Sequence, residues 1–139
     1  MQSVRYTVEL SSPTLEEYCL LREKVGWGKV APELAKASLN SSLFHVVIRL
    51  EGLLVGMGRV IGDSGLFFYI QDVAVDPNFQ RQGIGTLIMG NIEQYLSEAA
   101  KNGATIGLLS VKGKEAFYAR YGYLSRPNEE LGCGMCKFN

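Results

Sequence analysis

The stretch YIQDVAVDPNFQRQGIGTLIM, Tyr69 to Met89, decides how this chain folds. It begins inside LFFYIQDVAV, Leu66 to Val75, a run so nearly continuous in apolar character that it reads as a central strand. Asp76-Pro77-Asn78 ends that strand. From Ile84 the apolar spacing turns helical, through Leu87, Ile88, Ile92, Tyr95, Leu96 and Ala99, and Asn102-Gly103 reads as the C-cap. Between strand and helix lies QRQGIG, Gln80 to Gly85. The first backbone N–H groups of a helix have no helical partner, and with the positive end of the dipole they make an anion site. Gly83 and Gly85 carry no Cβ, so an anion could approach the main chain closely. Gln80, Arg81 and Gln82 could add side-chain contacts, and Arg81 a charge.

Two familiar nucleotide loops do not fit. A dinucleotide-binding turn needs G-x-G-x-x-G directly after a strand; here the third position is Ile88 and the spacer DPNFQRQ is too long. A P-loop needs G-K-[ST], which is absent. Taken alone, the two glycines could also serve only to let the chain turn closely onto a sheet.

Working outward, RYTVEL (Arg5 to Leu10) alternates as a first strand. Thr14 and Glu17 have capping-box spacing, so a helix starts at Thr14, with Leu15, Tyr18, Cys19 and Leu21 as its core face. Gly26-Trp27-Gly28 stops it. Pro32 opens a second short helix running to about Leu39. FHVVIRL (Phe44 to Leu50) and LLVGMGRVI (Leu53 to Ile61) are strands joined by a tight turn at Glu51-Gly52. After the long helix, ATIGLLSV (Ala104 to Val111) is a strand and Lys114 to Tyr121 a short helix ended by Gly122. Leu131 to Phe138 reads as one last strand. The order is β, α, α, three antiparallel β, a long α, β, α, β, which describes a mixed α/β sheet in a single domain over residues 1–139.

Composition narrows the function. The chain has 139 residues, 47% apolar and 20% charged, the profile of a globular domain. Lys plus Arg equals Asp plus Glu at 14 each, and a nucleic-acid binder would show a basic surplus. No apolar run approaches the roughly 20 residues of a membrane span. MQSVRYTVEL lacks the apolar core of a signal peptide. Three cysteines do not make a disulfide framework, and together these features point to the reducing cytoplasm.

The segment Tyr69 to Met89 resembles motif A of the GNAT superfamily, the acyl-CoA-dependent N-acetyltransferases. That family's pattern is a strand ending V-A-V, a turn often containing Asp-Pro, then Q/R-x-x-G-x-G/A opening a long helix. Gln80-Arg81-Gln82-Gly83-Ile84-Gly85 fits that hexapeptide at every fixed position. AFYARYGY, Ala116 to Tyr123, resembles the family's second landmark, F-Y-x-x-x-G-F/Y. The resemblance implies an α+β fold: a mixed, mostly antiparallel sheet flanked by about four helices, with the fourth and fifth strands splayed apart. It implies acetyl-CoA as cosubstrate and no metal. Its pyrophosphate would lie on Gln80 to Gly85 and Thr86, and its pantetheine arm along Val73, Ala74 and Val75. The acceptor would be a primary amine of a small molecule or peptide, and a homodimer through terminal strands is common in such proteins.

The chemistry such a protein performs is attack of a neutral amine on a thioester. An alkyl ammonium has a pKa near 10, so a base or a water chain must take its proton. A main-chain N–H near Val73 could stabilise the developing oxyanion. The leaving thiolate resembles Cys, with a pKa of about 8.5, and needs modest help. Tyr118, matching the tyrosine of the second landmark, would give it as general acid; Phe117, Tyr118 and Tyr121 could equally form an aromatic core face. Tyr69 and Gln71 would share one face of the strand, and Ile70 and Asp72 the other. Some family members carry Glu or His where this chain has Tyr69 or Gln71. Asp72 is the nearby carboxylate: a base, or simply the partner of an Arg or a main-chain N–H. Arg22 and Trp27 are expected in the acceptor pocket, though Trp27 could instead anchor a core under a mobile loop.

Cys133-Gly134-Met135-Cys136 is a CxxC without the second pair a zinc site would need; as strand residues its two cysteines would face opposite ways. His45 opens a strand and reads as a satisfied sheet residue. Two rivals stand beside the enzyme. One is a CoA-binding sensor or partner protein with a vestigial site; the other, more remote, is a metal or redox protein.

Overall fold

The computed structural model describes residues 5–139. The first four residues, part of the N-terminal stretch read above for a signal segment, lie outside them. The chain forms two compact units, one up to Ile106 and one from Gly107 to Asn139.

The first unit is built on a sheet. Its strands are β1 (Thr7–Glu9), β2 (Phe44–Leu50), β3 (Leu53–Gly62) and β4 (Phe67–Val75), with β5 (Thr105–Leu108) crossing into the second unit. The order is β1-β2-β3-β4-β5; the first four are antiparallel neighbours and β5 runs parallel to β4. Glu51 and Gly52 both take positive φ, 49° and 83°, the geometry that lets a two-residue turn follow the strand twist.

Three helices flank these strands. α1 (Leu15–Lys24) starts where the sequence indicates: Thr14 Oγ1 accepts from Glu17 N–H at 3.1 Å and Glu17 Oε1 accepts from Thr14 N–H at 3.0 Å. α2 (Pro32–Asn40) has proline at its first position, where no N–H is needed. Tyr18 and Leu21 of α1 and Ala35 and Leu39 of α2 pack with Val47, Leu54, Met57 and Ala74 of the sheet. α3 (Ile84–Ala99) covers the opposite face, burying Ile84, Ile88, Met89, Ile92 and Leu96. Each such side chain contributes about 1.5–3 kcal/mol on leaving water. Two glycines of β3 make this packing close. A Cβ on Gly56 would stand 2.7 Å from Ile84 Cγ2, and one on Gly58 would stand 2.7 Å from Ile88 Cγ2. The N-terminus of α3 is thereby held against β3 next to the end of β4.

The strands read at Arg5 to Leu10 and Ala104 to Val111 are shorter, Thr7–Glu9 and Thr105–Leu108, and three further features differ from the sequence reading. α3 ends at Ala99, because Ala100 is already extended; Gly103, at φ 100°, belongs to the turn into β5 instead of capping the helix. In the second unit the short helix is α4 (Glu115–Ala119), followed by the turn at Gly122, φ 92°. The strand expected from Leu131 to Phe138 does not form. Local bonds take its main chain: the Asn128 side chain accepts from Glu130 and Leu131 N–H, and Arg126 Nε donates to the Gly132 carbonyl. An alternating pattern makes a strand only when another strand pairs with it, and none does among the described residues. Cys133 and Cys136 are therefore exposed coil residues with free thiols, and the strand-face argument no longer bears on them. Among the described residues no helix is long and apolar enough to cross a membrane.

Candidate active site

β4 carries an irregularity that the sequence does not announce. Met57 pairs with Ala74 and Arg59 with Gln71, so Asp72 and Val73 together oppose Gly58. This is a β-bulge, and Asp72 within it sits at φ 56°, a conformation a side-chain-bearing residue rarely adopts. The extra residue changes which way side chains point. Cross-strand partners share a face, and Arg59 and Met57 lie opposite to the α3-facing Gly56 and Gly58. Gln71, Asp72 and Ala74 thus lie on the α1 side with Tyr69, while Ile70, paired with Val60, belongs to the α3 side. Strict alternation had set Asp72 beside Ile70 and apart from Gln71; the bulge reverses this.

Asp72 is buried and fully engaged. Oδ2 accepts from the Tyr18 hydroxyl at 2.6 Å and from Arg59 Nε at 2.8 Å. Oδ1 accepts from Arg22 Nη1 and from Gln71 Nε2, both at 3.3 Å. Four donors occupy the four lone-pair positions of a carboxylate. Burial, and then the bond to Asp72, raise the Tyr18 hydroxyl above its ordinary pKa, so it stays a donor. Arg59 also reaches Ser42 Oγ at 3.1 Å. The Arg22 guanidinium lies 5.8 Å from the Tyr18 ring centre and 5.6 Å from that of Trp27. The structure therefore brings Arg22, Trp27, Gln71 and Asp72 into one cluster. Sequence reasoning missed its organisers, Tyr18 and Arg59, although Arg59 is the one charge inside the apolar strand LLVGMGRVI. His45 lies on the far side of Arg59; its Nε2 is 2.9 Å from the Leu39 carbonyl and so carries the proton, and burial lowers its pKa.

The turn after β4 is tied down from below. Asp76, 1% exposed, accepts from Asn78 N–H at 2.9 Å and from Lys24 Nζ at 3.1 Å, which pins the short 3-10 turn Pro77–Phe79 to α1. Beyond it, Gln80 Nε2 donates to the Val75 carbonyl and the Tyr6 hydroxyl to Gln82 Oε1. Those two side chains are turned to the protein, leaving Arg81, exposed at φ 65°, as the charged side chain of the loop. Gly83 is the N-cap of α3 at φ 83° and supplies no side-chain cap; nothing lies within 4 Å of where its Cβ would be. A helix start without a side-chain cap, beside a glycine whose Cβ position is open, is the arrangement an anion requires.

In the second unit Tyr118 is half-buried, its ring edge-on to Phe117 with centres 5.1 Å apart. Burial raises its hydroxyl above the ordinary tyrosine pKa, so it holds its proton at neutral pH.

A family model described as an acetyltransferase (GNAT) domain matches residues 15–136. This chain belongs to the GNAT superfamily. Among similar GNAT proteins, an uncharacterized N-acetyltransferase, ycf52, of Pyropia yezoensis is 31% identical over 122 residues, covering 85% of this chain and 67% of the relative. A solved structure from methicillin-resistant Staphylococcus aureus, of unknown function and described as a probable acetyltransferase, superposes with TM-score 0.89 at 33% identity, covering 97% of this chain and all (100%) of that one. A GNAT family acetyltransferase from Streptococcus pneumoniae gives TM-score 0.78 at 26% identity, over 97% and 98% of the two chains. The chain is an acetyltransferase of GNAT type in fold and kinship.

Proposed function

We propose that this chain transfers acetyl from acetyl-CoA to a primary amine by direct attack on the thioester. The observation that carries the reading is the N-terminus of α3. An uncapped helix start, a left-handed Gly83 with open space around it, and Arg81 beside it together fit a pyrophosphate. Gln80 to Thr86 would hold that group chiefly through main-chain N–H. Val73, Ala74 and Val75 would pair through their main chain with the amide-bearing arm. The cosubstrate supplies an activated acetyl group; the protein's residues do the rest.

At the bulge, Asp72 and Val73 share the single position opposite Gly58, and the main-chain N–H of Val73 would serve the carbonyl oxygen on which charge develops. The second sequence landmark gives Tyr118, kept protonated by burial, the part of proton donor to the departing thiolate. Asp72 has no lone pair left to receive a proton from the amine, so water takes that proton, and Asp72 holds the bulge and the guanidinium groups in place.

Calorimetric titration with acetyl-CoA, with NAD and ATP as controls, tests the reading. Micromolar binding of acetyl-CoA alone, followed by turnover on an amine, is the expected result. Binding without turnover on any amine would favour a CoA sensor, and absence of binding would overturn the assignment of the loop.

A further inference from the structure

The cluster around Asp72 is not balanced in charge. It holds two guanidinium groups, Arg22 and Arg59, and one carboxylate. The neighbouring carboxylate, Asp76, is already paired with Lys24. Of the two cations, Arg59 makes the shorter contact with Asp72, 2.8 Å against 3.3 Å. Arg22 is thus the cation without a carboxylate of its own. Its bonding is also incomplete: Nη1 reaches Asp72, but Nε is buried with no partner. A charged donor removed from water and left unbonded is costly and calls for an explanation.

We propose that Arg22 determines acceptor specificity, and that the acceptor is an amine carrying a carboxylate. The proposal rests on the acetyltransfer reading above. With Nη1 held by Asp72, the Nε and Nη2 edge of the guanidinium is the one left over, and this edge accepts a carboxylate through two parallel N–H···O bonds. The guanidinium also lies within reach of the rings of Tyr18 and Trp27. Such a ligand would satisfy Nε and cancel the surplus charge together. Access runs past Trp27, which stands between Gly26 and Gly28, at φ 87° and 79°, with open space about both. Val25, Trp27 and Val30 of this loop pack against the core cluster, so a ligand that reaches Nε must displace the Trp27 ring. The same cluster lies on the α1 side of the bulge in β4, so a carboxylate on Arg22 would hold the amine near the main chain at Val73.

Trp27 is the sole tryptophan of the chain, and its ring faces Arg22, so its fluorescence reports on this site without any turnover. The protein would be titrated with a graded series of unbranched amino carboxylates from glycine and β-alanine upward, with the matching amides, and with inorganic phosphate. A saturable response to at least one carboxylate is expected, weaker by about tenfold or more for its amide and lost in Arg22→Gln. Arg22→Lys, which keeps the charge but not the planar fork, should lose most of the response as well. If Arg22→Gln does not fold, the wild-type carboxylate and amide pairs and Arg22→Lys decide the matter. No saturable response to any carboxylate, an equal response to acid and amide, a response that survives in Arg22→Gln, or tighter binding of phosphate would each overturn the proposal. Acetyl-CoA titrated into the same samples separates the two readings: its failure to bind would remove the acetyltransfer reading and leave the Trp27 result standing.

Discussion

Arg59 and Asp72 are joined across the central strands by a buried contact of 2.8 Å, and the bulge at Asp72 is what lets the two meet. Asp72→Asn keeps the shape but strands two guanidinium groups. Removing one partner of a buried pair costs about 3–5 kcal/mol. A fall in melting temperature of about 10 °C or more follows for a domain of this size. A base at Asp72 would behave differently, losing turnover and an ionisation from the pH–rate profile while the melting temperature held. Thermal melts and pH–rate profiles of the same variant separate the two roles.

Gly83→Glu should leave the fold nearly intact and abolish acetyl-CoA binding. Nothing lies within 4 Å of where a Cβ would stand, so the first side-chain atom meets no neighbour. The left-handed φ costs only about 1–2 kcal/mol. A carboxylate there would oppose a pyrophosphate directly. Gly83→Ala adds the strain without the charge and should weaken binding much less. Unchanged acetyl-CoA affinity in Gly83→Glu, read by calorimetry, would remove the anion site.

Gly56→Ala tests how the anion loop is positioned. The new methyl would meet Ile84 Cγ2 at 2.7 Å and Ile88 Cδ1 at 3.0 Å. Overpacking of this kind costs about 1–3 kcal/mol. Because Ile84 is the first residue of α3, acetyl-CoA affinity should fall with stability. Ile84→Leu removes the clashing Cγ2, so adding it to Gly56→Ala should recover part of both. Recovery of neither would mean that the strain is relieved elsewhere.

The elements that could be read from the sequence are those fixed by local chemistry. Thr14 and Glu17 bond each other across one helical turn, Pro32 fits a first helical position, and Glu51-Gly52 can take two positive φ angles; none of these depends on distant partners. The start of α3 at Ile84 could be read for the same reason, from the helical spacing that begins there. What escaped depends on pairing. Nothing in YIQDVAV distinguishes a regular strand from one with an inserted residue, and the bulge becomes visible only in register with β3. The tail from Leu131 to Phe138 carries a strand-like pattern, and among the described residues no strand pairs with it. Arg59 stood in plain view as a charge in an apolar strand, but its partner lies 13 residues away across a turn.

Tyr118→Phe should lower turnover by about 10²–10⁴-fold while changing the apparent constant for acetyl-CoA less, since the hydroxyl serves the departing thiolate. Burial raises the Tyr118 pKa above its ordinary 10.0. An acid acts in its protonated form, so its contribution is complete below that raised value and is lost only as pH rises through it. Wild-type turnover should therefore show no alkaline fall between pH 7 and about 9.5 from this group. Equal turnover in the Phe variant would reduce Tyr118 to packing against Phe117.

Glu17 links folding to acid pH. Its hydrogen bond with Arg49, above all, lowers its pKa from 4.5 to about 2, against the opposing effect of burial. Arg49 also bonds Glu9 at 2.9 Å, so one guanidinium ties β1, β2 and the start of α1 together. A carboxylate with a depressed folded pKa contributes stability in full above its unfolded value and loses it as pH falls through the folded one. The window is therefore from about 4.5 down to about 2. Glu17→Gln keeps an acceptor for the Thr14 N–H but gives up the charge. It should cost about 1 kcal/mol or less near neutrality, because the pair is partly exposed and screened. The difference between wild type and variant should hold constant from pH 8 to 5 and close as pH approaches 2. Melts in series across that range would show it, and a difference that persists at pH 2 would place the loss in the capping box and not in the ion pair.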